Sequence, residues 1–247
     1  MIVLGIDIGG SGIKAAEVNS RTGEMVSERF RLPTPKPATP EAVAKTVCKI
    51  IKHFKWKGPV GVSFPTVVKG GKALLSSNLD DEWKKTKIDK LFKKRCGQDF
   101  YVVNDADAAA IAEMNYGAGK GHKGLVITVT IGTGIGSGVY FDGKLLRNFE
   151  LGRIFWKDGD IIEKYAADSA RKREDLSLKQ WAKRFDKFLN HVEWTMHPDL
   201  FILGGGISKK FDDFKRHLTA NTKLVAAENL NNAGIIGAAL FAYEHVS

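Results

Sequence analysis

The chain has 247 residues, 43% hydrophobic and 27% charged, which excludes disordered and collagen-like proteins. Its first residues turn polar too early for a secretory leader, and no apolar run is long enough to span a membrane, so we expect a cytoplasmic protein without a membrane partner. Lysine and arginine number 38 against 28 aspartate and glutamate, a formal charge of +10, which indicates either a polyanionic partner or simply a basic, well-solvated surface.

The first half of the chain predicts a β-meander followed by alternating helices and strands. Strands are predicted over 2–8, 13–18 and 25–31, and a first glycine turn, residues 9–12, separates the first two. Further elements are a helix over 41–54 that starts at Thr39-Pro40, a strand over 60–64, a loop or hairpin over 67–80 and a basic helix over 84–95.

A strand-to-helix turn follows at Asn104 and Asp105. The apolar run 100–103 predicts a buried strand, and the alanine-rich segment after it predicts a helix that ends at Gly117. Open α/β sheets bind ligands outside the carboxyl ends of their strands, so a carboxylate here is either a helix cap or a functional group.

The second half of the chain repeats strand, glycine turn and helix. A strand over 125–131 leads into a second glycine turn at 132–138, and Asp142-Gly143 predicts a hairpin. Later elements are a helix with a Ser177 and Gln180 capping box that ends at His197-Pro198, a strand over 200–203, a third glycine turn at 204–206, a helix capped by Ser208, a strand over 223–226 and an apolar helix over 233–246.

The two cysteines, Cys48 and Cys96, lie in basic amphipathic segments. Neither belongs to a CxxC pattern or has the Cys/His spacing of a metal site. We therefore predict that both are reduced and that the chain binds no zinc.

The three glycine turns are the main functional signal. Glycine turns after strands expose backbone N–H groups that bind phosphate, and Ser11 and Thr133 add a hydroxyl donor to two of them. One such turn is weak support, because most glycines serve only tight turns. Neither a Walker A motif nor a usable GxGxxG is present, so we interpret the turns as a phosphate cradle of another architecture.

These motifs resemble those of the sugar kinase, heat-shock chaperone and actin superfamily. Residues 6–14 resemble its first phosphate motif, 130–138 its second and 203–208 its adenosine motif. Within the superfamily the chain is similar, over essentially its whole length, to the ROK (repressor, open reading frame, kinase) group and there to polyphosphate glucokinases and glucomannokinases. The shared segments are 77–80 with Trp83, 104–109, 117–121, 150–152 and 166–176.

The resemblance implies an α/β fold of two ribonuclease H-like (actin/hexokinase-type) domains around a cleft. We expect the first domain over 1–107 and the second over 108–247, with the last helix, 233–246, packing back on the first. The resemblance also implies a homodimer.

The implied activity is phosphoryl transfer from polyphosphate, ATP or both to the 6-hydroxyl of glucose or a related hexose. Asp105 would be the general base, and Asp7 would position Mg²⁺ through water. The substrate-binding residues would be Asn78, Asn104, Glu150 and Arg153. The residues that bind phosphate or nucleotide would be Gly9, Gly10, Ser11, Lys14, Gly132, Thr133, Gly134 and Gly205.

Three features depart from the usual ROK pattern. Arg153 stands where the family has a histidine after Glu-x-Gly, and arginine is always charged, so an acidic or phosphorylated substrate is an alternative to a plain hexose, as is an Arg153 that turns to solvent. The cysteine-rich zinc motif of many members is missing, as in the polyphosphate-using branch. Ser11 replaces the commoner threonine and keeps the hydroxyl.

The phosphoryl donor and the activity itself leave alternatives. The +10 charge favours polyphosphate over exclusive use of ATP, with a strictly ATP-dependent hexose or hexosamine kinase as the alternative. Arg153 alone supports a non-catalytic sugar-binding protein. A ROK repressor needs a DNA-binding helix-turn-helix, and the chain begins with the first phosphate strand, so no nucleic-acid partner is expected. Candidate basic tracks for polyphosphate are Lys84, Lys85, Lys87, Lys120, Lys123, Arg171, Lys172 and Arg173.

Overall fold

The structure, a computed structural model, describes residues 1–75 and 79–246. Its contacts divide the chain into two compact units, Met1–Ala112 with Asn232–Ser247, and Glu113–Asn231. The domain boundary predicted after residue 107 stays a prediction. Within the described residues, no helix is both long enough and apolar enough to cross a bilayer.

The first unit is built on a five-stranded mixed sheet. Its strands, with a separate two-stranded hairpin, are β1 (Ile2–Ile8), β2 (Gly12–Asn19), β3 (Phe30–Pro33), β4 (Val60–Phe64), β5 (Val68–Lys69), β6 (Lys72–Ala73) and β7 (Phe100–Asn104). The sheet order is β3-β2-β1-β4-β7, with β5 and β6 forming the hairpin. β1 runs antiparallel to β2 and parallel to β4, which in turn is parallel to β7.

The predicted third strand, 25–31, is wrong in its bounds. Met25 makes only an isolated bridge to Val18, and the ladder with β2 begins at Phe30. The N–H of Glu17 donates to the hydroxyl of Ser27 at 3.0 Å instead of to a backbone carbonyl, which interrupts the ladder at this point.

Helices α1 (Pro40–His53), α2 (Ile88–Cys96) and α3 (Asp105–Tyr116) follow strands of this unit. Thr39 caps α1 as predicted, because its hydroxyl accepts from Ala42 N at 3.3 Å. The predicted basic helix over 84–95 begins later, since Lys85 adopts a φ of 68° that no α-helix accommodates.

The prediction of two reduced cysteines is wrong. A disulfide joins Cys48 on α1 to Cys96 on α2, with their Cα atoms 5.2 Å apart. The two helices contact each other, and this packing brings together residues that are 48 positions apart in the sequence. No short spacing in the sequence signals such a pair.

The second unit has the same strand plan as the first. Its strands are β8 (Leu125–Ile131), β9 (Ile135–Phe141), β10 (Lys144–Leu146), β11 (Leu200–Gly204) and β12 (Lys223–Ala226), in the order β10-β9-β8-β11-β12. β8 is antiparallel to β9 and parallel to β11, and β11 is parallel to β12. Because β9 begins at Ile135, the second glycine turn narrows to residues 132–134.

Helices of the second unit cover its sheet with aromatic side chains. They are α4 (Glu163–Ala166), α5 (Asp168–Arg173), α6 (Leu178–Met196) and α7 (Phe211–Lys215). The capping box of Ser177 and Gln180 is confirmed at the start of α6. Ser208, predicted as a cap, lies inside a 3₁₀ turn over Gly206–Lys210, where its hydroxyl donates to Gly205 O.

The last helix, α8 (Ala233–Val246), has the bounds predicted from the sequence and belongs to the first unit. It packs directly against the sheet at two glycines. A Cβ on Gly5 or on Gly61 would overlap the carbonyl of Ile235 or of Ala238. Glycine at these positions therefore allows a close approach of helix and sheet.

Candidate active site

The first glycine turn, residues 9–12, joins β1 to β2 in the first unit. The hydroxyl of Thr34 donates to Gly9 O, and Arg31 Nη2 donates to Ser11 O at 2.9 Å. The two central residues of the turn are exposed. The turn is thus held through its carbonyls by side chains of the neighbouring strand and the loop that follows it, and its outer surface is accessible to an anion.

Asp7 lies near the carboxyl end of β1, opposite Lys14 on β2 and Ser63 on β4. Ser63 Oγ donates to one carboxylate oxygen at 3.0 Å, and Lys14 Nζ lies 3.4 Å from the other. A Cβ on Gly234, at the start of α8, would come 2.8 Å from the carboxyl carbon. The Asp7 side chain is therefore fixed in place but keeps 19% of its surface exposed.

The sequence left two roles open for the turn at Asn104 and Asp105, a helix cap and a functional group. Asn104 is buried, and its Oδ1 accepts from the N–H groups of Ala106 at 2.9 Å and Asp107 at 3.1 Å. Asn104 is therefore the cap of α3. Its Nδ2 donates to Thr66 O at 3.1 Å, and its predicted contact with a sugar stays a prediction.

Asp105 is the first residue of α3 and is exposed. Its Oδ1 accepts from Ala106 N at 2.9 Å, which orients the carboxylate at the helix start. Asn104 rather than Asp105 is thus the cap, and Asp105 is accessible to solvent. Asn78, the remaining candidate of the first unit, lies outside the described residues.

The second glycine turn joins β8 to β9 in the second unit and is braced from α4 and α5. Ser169 donates twice, from its N–H to Gly132 O at 3.1 Å and from its hydroxyl to Thr133 O at 2.6 Å. Glu163 Oε2 accepts from Ile135 N at 3.0 Å. Thr133 is exposed.

Sequence reasoning assigned no role to Glu163 or Ser169. A residue at Gly134 with a Cβ would overlap the Glu163 carboxylate, which shows how closely the brace fits the turn. The only signal for Ser169 was its place in the segment 166–176, which resembles the ROK family. No sequence pattern pointed to Glu163, because its contact with the turn depends on the packing of α4.

The third glycine turn follows β11. Gly205 has a φ of 86°, and a Cβ there would overlap the backbone of Ile131 at the end of β8. Both the dihedral angle and the contact require glycine. The turn is thereby held beside the strand that leads into the second glycine turn.

Glu150 and Arg153 form an ion pair, with Arg153 Nε 3.1 Å from Glu150 Oε2. Arg153 ends a 3₁₀ turn, Leu151–Arg153, in which a Cβ on Gly152 would overlap Ile135 O. The pair therefore lies next to the start of β9. Arg153 contacts Glu150 rather than turning wholly to solvent.

The charge of Glu150 is set by opposing influences. Burial raises the pKa of Glu150, Arg153 lowers it, and the Glu163 carboxylate raises it again, so the net pKa lies above the usual value for glutamate. Removal of Arg153 would leave two carboxylates without this neutralising charge.

The basic residues proposed as a polyphosphate track on α5 are engaged in ion pairs. Arg171 and Lys172 each lie 2.7 Å from a carboxylate oxygen of Asp168, and Arg173 lies 2.8 Å from Glu174. Burial alone would raise the pKa of Asp168, but hydrogen bonds from Lys172 and Arg171 outweigh it and lower the pKa. Asp168 and Glu174 therefore offset only part of the positive charge of α5, because Asp168 pairs with two cations and Glu174 also pairs with Arg184 at 2.7 Å.

Comparison with known proteins identifies the family to which this chain is similar. The ROK family model matches residues 3–150. A polyphosphate glucokinase of Mycobacterium tuberculosis is 44% identical over 237 residues, which are 96% of this chain and 89% of that protein.

Solved structures of ROK and polyphosphate-dependent sugar kinases also match this chain. The crystal structure of an inorganic polyphosphate/ATP-glucomannokinase from Arthrobacter sp. strain KM matches with a TM-score of 0.93 and 44% identity over 99% of each chain. A ROK family glucokinase from Streptomyces griseus, in complex with glucose and AMPPNP, matches with a TM-score of 0.84 over 99% of this chain and 100% of that one; its 24% identity supports the fold alone. These matches confirm the predicted α/β fold class of two ribonuclease H-like domains.

Proposed function

Because the chain belongs to the ROK family, we propose that it is a sugar kinase that transfers a phosphoryl group from polyphosphate or ATP to the 6-hydroxyl of glucose or a related hexose. The observation that carries the proposal is the 44% identity to a polyphosphate glucokinase over 96% of the chain. The likeness extends over nearly all of both proteins rather than over one motif. The homodimer implied by the resemblance is part of the proposal, and sedimentation velocity tests it.

Asp105 would act as the general base. As the oxygen of the sugar 6-hydroxyl forms its bond to the transferred phosphorus, its proton passes to the Asp105 carboxylate, and the bond from phosphorus to the leaving oxygen of the donor breaks. The exposed position of Asp105 at the start of a helix capped by Asn104 supports this role.

The glycine turns would bind the phosphates of the donor. Backbone N–H groups and the hydroxyls of Ser11 and Thr133 supply donors in the first and second turns, and Lys14 supplies a positive charge near the first. Gly205 would lie near the nucleoside or the continuing polyphosphate chain. The braces from Thr34, Ser169 and Glu163 support the proposal because they fix the turns before a ligand binds.

Asp7 would hold Mg²⁺. Within the described residues, no group of three or more histidine, cysteine, aspartate or glutamate side chains could hold a metal by protein ligands alone. One partly exposed carboxylate suits Mg²⁺, which keeps several waters and binds through one or two carboxylates together with substrate phosphates. When bound, Mg²⁺ would neutralise charge on those phosphates.

Glu150 and Arg153 would contact the hexose, with the carboxylate accepting hydrogen bonds from sugar hydroxyls. The ion pair supports a neutral sugar over an acidic one, because the charge of Arg153 is already matched by Glu150. A strictly ATP-dependent kinase would use the same residues and differ only in its donor.

The test is a panel of hexoses crossed with ATP and polyphosphate, each with Mg²⁺. We expect wild type to phosphorylate glucose and Asp105→Asn to lose about 100- to 10,000-fold in kcat. Asp212→Asn, at another exposed aspartate in the first turn of a helix, α7, is the matched control and should keep full activity.

Two results would contradict the proposal. Unchanged turnover in Asp105→Asn would remove the base assignment, and wild type that binds glucose yet accepts phosphate from neither donor would remove the kinase function. Arg153→His, run in the same panel, shows whether the departure from the family histidine alters the choice of sugar.

A further inference from the structure

Arg31 lies in a row of charged side chains that no sequence motif revealed. β3 pairs with β2 in a register that places Arg31 opposite Lys14, and Lys14 lies opposite Asp7 on β1. Side chains of directly opposite residues share one face of a sheet. The register therefore aligns an arginine, a lysine and an aspartate across the sheet, beside the first glycine turn.

The guanidinium of Arg31 is anchored on that turn. Its Nη2 donates to Ser11 O at 2.9 Å, and a Cβ on Gly12 would come 2.5 Å from its Nε. The absence of a side chain at Gly12 thus allows the guanidinium to lie against the backbone. Arginine carries several further N–H donors in a rigid fork, and these lie next to the exposed part of the turn.

The two basic residues in the row differ in whether a carboxylate neutralises their charge. Lys14 is paired with Asp7 at 3.4 Å. Arg31 is exposed and takes part in no ion pair within residues 1–75 and 79–246. An uncompensated cation fixed beside exposed backbone N–H groups attracts anions more strongly than a paired one.

We propose that Arg31 binds the phosphate chain of the phosphoryl donor at the first glycine turn. This role rests on the proposed kinase function and adds to it a donor-binding residue outside the recognised motifs. The guanidinium would donate hydrogen bonds to phosphate oxygens and not to a nucleoside. The same contact would therefore form with inorganic polyphosphate and with the triphosphate of ATP. The hydrogen bond to Ser11 O orients the fork for this contact.

Direct binding tests the role of Arg31 without turnover. Calorimetric titration with inorganic tripolyphosphate and with ATP, each with Mg²⁺, compares wild type with Arg31→Ala and Arg31→Lys. We expect Arg31→Ala to weaken binding about 10- to 100-fold and Arg31→Lys to weaken it less. The slope of log Kd against log salt concentration should fall by about 1 in Arg31→Ala, because one phosphate contact is lost.

Two further variants separate contact from general charge. Arg21→Ala removes the same charge from an exposed site beyond the far end of β2, roughly 23 Å or more along the strand from the turn, and should leave Kd within about twofold of wild type. Gly12→Ala keeps Arg31 but displaces its guanidinium, so we expect weaker binding there too.

A loss with either phosphate chain supports the proposal, and the two ligands show which donor Arg31 serves. An Arg31→Ala protein that keeps its Kd and salt slope for both ligands overturns it, as does an equal loss of affinity for glucose, which would indicate a merely structural role. If wild type phosphorylates no hexose, the kinase function fails, while the binding comparison still decides the role of Arg31.

Discussion

At the scale of single residues, the ion pair between Glu150 and Arg153 would link the proposed binding of substrate to pH. The carboxylate accepts hydrogen bonds from hydroxyls when it is ionised. Burial and Glu163 both raise the pKa of Glu150, and Arg153 is the group that lowers it. Arg153, the residue that departs from the family pattern, therefore favours the ionised form of the Glu150 carboxylate.

Arg153→Gln should raise the pKa of Glu150 further, because it removes the lowering charge and leaves burial and Glu163 in place. We expect the acid limb of kcat/KM for glucose to move to higher pH, with little change on the alkaline side. Arg216→Gln, an exposed arginine after α7, is the control and should keep the wild-type profile. An acid limb that does not move would show that another group controls it.

Residues of the site differ in how far the sequence could predict them. The glycine turns and the position of Asp105 follow from strand ends and residue types, whereas the roles expected of Asp7 and Asp105 rest on the family resemblance. Ser63 and Ser169 reach Asp7 and Thr133 from 56 and 36 positions away, and Arg31 reaches Ser11 from 20. Those contacts depend on strand register and helix packing, which short-range patterns do not contain.

At the scale of elements, local signals predicted boundaries well where they were strong. The capping box fixed the start of α6, and the apolar run of α8 gave both of its ends. The predicted starts of β3 and α2, residues 25 and 84, were wrong, because the side chain of Ser27 and the positive φ of Lys85 override the apolar pattern there. β3 also ends two residues later than predicted.

The disulfide between α1 and α2 should stabilise the first unit. It closes a loop of 48 residues, for which the chain-entropy model gives about 4 kcal/mol. We expect reductant to lower the free energy of unfolding, measured by urea denaturation of protein prepared under oxidising conditions, by up to about that amount.

The double variant Cys48→Ser with Cys96→Ser is the control for this effect. It should have the lower stability from the start and should not respond to reductant. If oxidised wild type shows two free thiols when titrated in denaturant, the pair does not form and the element-scale prediction is wrong.

At the scale of the whole molecule, the two units repeat one plan. Each has an antiparallel hairpin whose turn carries glycine and a hydroxyl residue, followed by two parallel strands. The sequence showed this repetition as strand plus glycine turn at 2–12 and 125–138, although no residue-level repeat was visible. A repeat of topology survives without a repeat of sequence because side chains in each unit need only to fill its own core.

The stability of the molecule in acid should depend on carboxylates that accept hydrogen bonds in the folded state. Burial alone would raise the pKa of Glu193, but bonds from Thr222 and Asn221 outweigh it and lower the pKa below the ordinary 4.5. A lowered folded-state pKa gives stability that is present above about pH 4.5 and is lost as the pH falls through the folded value.

Glu150 and Glu244 have the opposite effect on acid stability, because burial raises the pKa of each carboxyl group. The dependence of wild-type stability on pH is therefore the sum of opposing contributions.

Glu193→Gln isolates the contribution of Glu193 to this dependence. We expect this variant to be less stable than wild type near pH 7 and to converge with it as the pH falls well below 4.5, measured by thermal unfolding across pH. Glu28→Gln, at an exposed site, should follow the wild-type curve throughout. A constant difference between Glu193→Gln and wild type at every pH would show that Glu193 acts through packing rather than through its charge.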